Sequence, residues 1–246
     1  MMDGMPLLLS ANFHVFGAQH IMVLCMIAAL ALGIVRTARK GTTAQCRCLK
    51  FILGLFLLSY AAFVYIQQGI EHNLTWQYSL PLEFCHLVLI ACLISLIRPF
   101  RLTAEIAYFW GFGGVLQATL TPDLTQGFPS WDFILFFWGH GATLLAIMFL
   151  IFNRKFKPGK GSVARMMIAL NAYGLVIGTT DAVMGWNYGY LCRKPSAPSL
   201  LDLMGPWPWY LLSIEATAFL SFALLSLPWR LSALSGKRNR ALSADR

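Results

Sequence analysis

Charge is what this sequence has least of. Only 12% of its 246 residues are Asp, Glu, Lys or Arg, and just 10 of them are acidic. A water-soluble domain carries about a quarter charged residues, so an aqueous globule is excluded, and a hydrophobic content of 58% excludes a disordered chain. Strand-like alternation is missing as well: the apolar residues come in continuous runs, which excludes a transmembrane β-barrel. There is no G-x-S-x-G elbow, no His-x-x-x-x-Asp signature of acyl-CoA transferases and no nucleotide-binding motif. Glu83-x-x-His86 has no second copy, as a di-iron bundle would need. The six cysteines form no disulfide framework: Cys25, Cys85 and Cys92 lie within apolar runs, and Cys46-x-Cys48 lacks the spacing of a zinc site. No internal repeat or matched pair of broken spans marks an inverted-repeat transporter. No cofactor is called for.

What is present is hydrophobic length. The mean hydropathy is +0.63, and seven runs of about 20 residues are long enough to cross a bilayer. They are Gly17–Val35, Leu49–Gln67, Leu80–Ile97, Thr103–Leu120, Trp131–Phe152, Val163–Met184 and Trp209–Pro228. The expected fold is therefore all-α and polytopic, with residues 1–230 as one transmembrane domain. Met1–Leu9 carries no positive charge and no small-residue cleavage site follows the first run, so that run reads as a retained helix and not a signal peptide. All but Arg193 and Lys194 of the 19 basic residues fall on one side of these spans. By the positive-inside rule the N-terminus is expected outside and the C-terminus in the cytoplasm, as in a bacterial inner membrane. Residues 231–246 read as a disordered basic tail near anionic headgroups. The net charge of +9 is thus accounted for by the membrane, with no nucleic-acid partner.

Ionisable residues within hydrocarbon are expensive and point to function. On this topology they gather in the outer half: Glu83, Cys85 and His86 early in helix three, His140 about two turns into helix five, Asp181 late in helix six and Glu215 early in helix seven. His20, Gln117 and Asn171 face the outer half or the middle; Glu105 is the main inner exception, at a helix start that suits a negative charge. Two outer connections, Thr121–Trp131 and Gly185–Pro208, are rich in Pro, Gly and aromatics. They read either as a lid over a site or as an interfacial belt built on Trp131, Trp186, Trp207 and Trp209.

These residues suit nucleophilic chemistry. A thiol attacks as thiolate, and Cys85 follows Pro81 at a helix start, where free N–H groups favour an anion. His140 is a base at similar depth on another helix, with Glu83, Asp181 or Glu215 available to orient it. His86 is the alternative base, and Cys92 reads as a packing residue. Asn171 and Gln117 also suit plain interhelical hydrogen bonding. Another chemistry stays open: a non-enzymatic transporter or small-molecule-binding protein using the same polar cluster, or a metal held by Glu83, His86, His140 and His20.

The segments Leu80–His86, Thr121-Pro122-Asp123, the FFWGH run ending at His140, and the block from Asn187-Tyr188 through Lys194-Pro195 to Gly205-Pro206-Trp207-Pro208 resemble the YwaF-like integral membrane family, whose eukaryotic relatives are called transmembrane protein 164. The likeness runs from about Leu80 to Glu215. It implies phospholipid acyl transfer with Cys85 as nucleophile and His140 as base, by way of an acyl-Cys85 intermediate discharged onto a lysolipid. Acyl-CoA is not expected on the outer side, so the donor expected is a phospholipid. Glu83, His86, Asp181 and Glu215 are the expected supporting residues. Gln117, Asp123, Asn171, Asn187 and Tyr188 are the expected substrate contacts. The oligomeric state is not legible.

Overall fold

The structure, a computed structural model, describes residues 12–98, 100–153, 156–195 and 199–244, with side chains as far as Leu231. The described residues form an all-helical bundle with no strand; Asn12 and Gln126 make an isolated bridge. Five helices are long and apolar enough to cross a membrane: α1 (Ala18–Lys40), α2 (Thr43–Ile70), α7 (Trp131–Phe152), α8 (Ser162–Met184) and the Trp209–Leu231 part of α9 (Trp209–Ala244). Large apolar side chains such as Met22, Leu32, Phe51, Leu175, Val183 and Leu224 point outward along these helices, an arrangement that only lipid stabilises. The backbone of α9 stays helical to Ala244, while the side chains of the basic tail lie outside the described residues.

Helix α7 is the axis of the bundle. Of its most apolar stretch 56% is buried inside the protein, against 11–17% for the other four long helices. Small residues permit this. A Cβ on Gly139 would strike Tyr60 of α2, and one on Gly141 would press on Ile27 of α1, so neighbouring helices approach its backbone closely. Helices α1 and α2 meet in a tight hairpin across Gly41-Thr42. Thr42 Oγ1 accepts from Gln45 N at 3.2 Å and Gln45 Oε1 accepts from Thr42 N at 2.8 Å, a reciprocal cap that starts α2 several residues before its apolar run.

Two of the expected spans differ from continuous helices. Leu80–Ile97 is helical only from Phe84 as α4 (Phe84–Ile97), preceded by the short turn α3 (Trp76–Ser79). At about 1.5 Å per residue, α4 covers about 21 Å of a hydrocarbon layer about 30 Å thick. The remainder is irregular backbone, which lipid does not tolerate unless protein covers it. Thr103–Leu120 becomes α5 (Arg101–Trp110), a π-helical turn Gly111–Val115, and α6 (Leu116–Leu120). The glycines of that turn are crossing points, since a Cβ on Gly111, Gly113 or Gly114 would meet Ile147 of α7, Phe222 of α9 or Phe84 of α4. The π turn thus seats α5–α6 against three helices at once, directly beside the residue preceding Cys85.

The basic end is closed by an ion cluster. Glu105 is fully buried there; it accepts from Arg165 Nη2 at 2.8 Å and Nε at 2.9 Å, from Arg101 Nε at 3.2 Å and from Gly159 N at 3.1 Å. It thereby ties α5 to the start of α8. The sequence reading of Glu105 as a dipole partner at a helix start is replaced by this cross-link.

Candidate active site

The site begins where α4 begins. Glu83 occupies the cap position, yet its carboxylate makes no cap to its own helix; Oε2 accepts instead from Gly189 N at 3.0 Å. Tyr173 of α8 donates to Leu82 O at 2.9 Å and Tyr188 donates to Trp76 O at 3.3 Å, which satisfies carbonyls of the irregular segment. Phe84 stacks on Trp110 with ring centroids 4.9 Å apart. This scaffold places Cys85 in the first turn of α4 and leaves it partly exposed. Cys92, two turns along, is completely buried among apolar side chains.

Helix α7 supplies the imidazole. His140 Nδ1 lies 2.9 Å from Phe136 O, and its ring stacks on Phe136 at 4.1 Å. A carbonyl only accepts, so Nδ1 carries the proton and the neutral ring keeps its lone pair on Nε2. The expectation that a carboxylate orients His140 is answered differently: a backbone carbonyl of its own helix does so. His140 and His86 lie within electrostatic range of each other, and the Cys85 sulfur lies within such range of Tyr60, Tyr173 and Tyr190. No hydrogen bond joins Cys85 to His140 among the described residues.

A roof covers this end. In the Gly185–Pro208 connection, Asn187 organises the turn: its Oδ1 accepts from Cys192 N at 3.1 Å and Arg193 N at 2.9 Å, and its Nδ2 donates to Arg193 O at 2.9 Å. Gly189 and Tyr190 are both left-handed, with φ of 61° and 56°. A Cβ at residue 189 would strike the Tyr173 hydroxyl, so only glycine lets the N–H reach Glu83. Tyr190 donates to Asp123 Oδ2 at 3.5 Å, and Tyr210 donates to Tyr190 O. Burial, followed by the Asp123 charge, pushes the Tyr190 phenol up to about 12. Burial likewise raises Asp123, partly offset by the Tyr190 hydrogen bond. The lid and belt readings both describe this loop, since Trp207 and Trp209 remain exposed at its far end. The other connection does something else. Phe13 N donates to Thr125 O at 3.0 Å and Phe128 N to Gln19 Oε1 at 3.0 Å, so it pins the start of α1, with Asp123 its contribution to the roof.

Several expected site residues are engaged elsewhere. Asn171 Nδ2 donates to Glu215 Oε1 at 2.8 Å, an α8–α9 clasp at the outside of the bundle. Exposed Gln117 donates to Thr121 Oγ1 at 3.0 Å within its own segment. His20 is buried and saturated: Nδ1 accepts from Phe16 N at 2.9 Å and Nε2 donates to Thr119 O at 3.0 Å, which leaves no lone pair for a metal. Among the described residues no cluster of three or more His, Cys, Asp or Glu side chains is placed to hold one. Three tyrosines escaped the sequence reading. Tyr60, Tyr173 and Tyr190 each feel the Cys85 charge; for Tyr60 and Tyr173 the signal in the sequence was a phenol inside an apolar run.

Unmade hydrogen bonds mark the same end. Buried polar atoms are nearly always paired, so exceptions call for a reason. Here His86 Nδ1, Trp110 Nε1, Trp138 Nε1, both Asp181 oxygens and the side-chain oxygens of Gln67 and Gln68 are buried without partners. Trp110 stacks on Phe84 and Trp138 packs on Tyr60, at 4.9 Å and 6.0 Å between ring centroids. Asp181 is 1% exposed; the Tyr188 N–H and the Arg193 charge act on it without making a hydrogen bond.

No curated protein and no solved structure matches this chain. The TMEM164 family model matches residues 15–226. That stretch runs from ahead of α1 to well within α9 and contains Cys85, His140 and the whole roof; the chain belongs to the TMEM164 family.

Proposed function

We propose that this chain is an integral membrane phospholipid transacylase, which moves a fatty acyl group from a phospholipid to a lysophospholipid through a thioester on Cys85. In this reading α1, α2, α4, the α5–π–α6 unit, α7, α8 and α9 are seven membrane-crossing segments. The basic loops face the cytoplasm and the site opens to the outer leaflet, which in a bacterium is the periplasmic side of the inner membrane. The observation that carries the reading is the tautomer of His140: with Nδ1–H held by Phe136 O, Nε2 is a base at the end of the bundle where Cys85 is partly exposed.

The steps balance. His140 Nε2 takes the Cys85 proton, and the thiolate attacks the ester carbonyl of the donor lipid. The ester C–O bond breaks and the leaving lysolipid oxygen takes the proton back from Nε2. An acceptor lysolipid hydroxyl then gives its proton to Nε2 and attacks the thioester; the C–S bond breaks and the departing thiolate recovers that proton. The unpartnered Trp110 and Trp138 N–H groups are the donors this reading assigns to the carbonyl oxygen as charge develops on it. Catalytic contacts commonly tighten only when substrate binds. A roofed, lipid-lined site limits water, which would hydrolyse the thioester. The saturated Glu105 cluster at the basic end favours this reading over a transport path, because it closes the far side of the bundle.

The test is intact-mass analysis of the protein in phosphatidylcholine vesicles with a labelled acyl chain, alongside acyl-transfer assays. A single acyl adduct on Cys85 is expected, with transfer lost in Cys85→Ser and retained in Cys92→Ser. Transfer that persists in Cys85→Ser overturns the proposal.

A further inference from the structure

The basic end of the bundle holds a hollow with no part in the chemistry above. It encloses about 280 Å³ between the starts of α2 and α5, the ends of α4 and α7, and the connection to α8. Its floor is apolar (Leu96, Ala104, Phe149 and Leu150) and its rim carries Lys50, Arg101 and Lys157 from three separate chain segments. Glu105 also lines it, but Arg165 meets that carboxylate through two hydrogen bonds, so with Lys50, Arg101 and Lys157 four cations face a single negative charge. Lys50 Nζ makes a single long contact, 3.4 Å to Ile97 O at the end of α4. The Arg101 side chain, 59% exposed, uses Nε on Glu105 and Nη2 on Lys160 O. Lys157 is exposed.

We infer that this hollow binds the phosphate of an anionic phospholipid, with Lys50, Arg101 and Lys157 around the headgroup and the glycerol–acyl junction on the apolar floor. Three convergent cations over an apolar base match a phosphodiester attached to hydrocarbon, and basic pockets between transmembrane helices are a recurring way to hold such lipids. A free phosphate shares the charge but has nothing to place on Leu96 and Phe149. The adjoining hollow continues the surface: it shares Phe156 and Lys157 and adds Arg39 and Lys40. The inference does not depend on acyl transfer at the other end.

Native mass spectrometry of the full chain tests it, with the protein released from nanodiscs of phosphatidylglycerol or of phosphatidylcholine. Wild type should retain at least one phosphatidylglycerol beyond whatever phosphatidylcholine it holds, and inorganic phosphate at millimolar concentration should fail to displace it. The double variant Lys50→Gln/Lys157→Gln should bind about thirtyfold more weakly, two charges at about 1 kcal/mol each. Lys50→Arg/Lys157→Arg should bind as wild type, which separates lost charge from lost fold. Arg193→Gln/Lys194→Gln, at the opposite end, should change nothing. Equal retention of both lipids, equal binding by the Gln variant, or displacement by inorganic phosphate overturns the assignment.

Discussion

Two buried carboxylates, one near each end of the bundle, have opposite surroundings. Glu105 is 0% exposed and receives four hydrogen bonds from two arginines and a backbone N–H. Asp181 is 1% exposed and receives none. A buried charge is tolerated when paired and costly when not, so the first is a structural tie and the second an unfinished arrangement. The Asp181 end also holds the partly exposed Cys85, the oriented His140 and the other unpartnered polar atoms. One end is a saturated ion cluster, while the other keeps buried polar atoms without partners.

Substitutions should expose that difference. The largest effect on stability is expected from Arg165→Met, which strips Glu105 of its bidentate partner. A clear drop in the unfolding midpoint is expected, read from denaturant unfolding in detergent, with acyl transfer per folded molecule unchanged. A wild-type midpoint would show that the basic end is not the tie described. Gly189→Ala should rank next. It puts a Cβ against the Tyr173 hydroxyl at a left-handed position, with an expected cost of about 1–3 kcal/mol. Because it lifts the N–H from Glu83, transfer should fall while hydrolysis of labelled donor lipid rises. A variant with unaltered transfer would mean that the roof has no role. The smallest effect is expected from Asp181→Asn. It breaks no ion pair, so the unfolding midpoint should move far less than in Arg165→Met, or rise. A loss comparable to that of Arg165→Met would show that Asp181 has a strong partner and would end the comparison.

Much of the helical framework was legible in the sequence. Trp131–Phe152 has the same limits in both descriptions, and Val163–Met184 differs by one residue at its start. Hydropathy works here because lipid forces each exposed backbone segment to satisfy itself as a helix. It failed where protein replaces lipid as the neighbour. Residues 80–83, Leu-Pro-Leu-Glu, stay outside the helix because Pro81 has no N–H to donate and holds Leu80 extended, while Tyr173 and Gly189 partner Leu82 and Glu83. The run through Gly111–Val115 reads as helix and adopts a π turn, since its glycines are pressed by three helices. Among site residues, Cys85 is partly exposed and Cys92 buried, a difference that residue type alone does not carry. The orienting group of His140 was out of reach, because a carbonyl one turn earlier has no signature in residue type.

The amino-acid order alone determined that this chain lives in a membrane, where most of its long helices run and which end is basic, because hydrophobic length and charge are local properties. Only the folded bundle decided that Glu105 is tied and Asp181 is not, and that Gly189 closes over Glu83. Those outcomes depend on which elements meet, and contacts between residues 60 or 106 positions apart leave no trace in a hydropathy pattern.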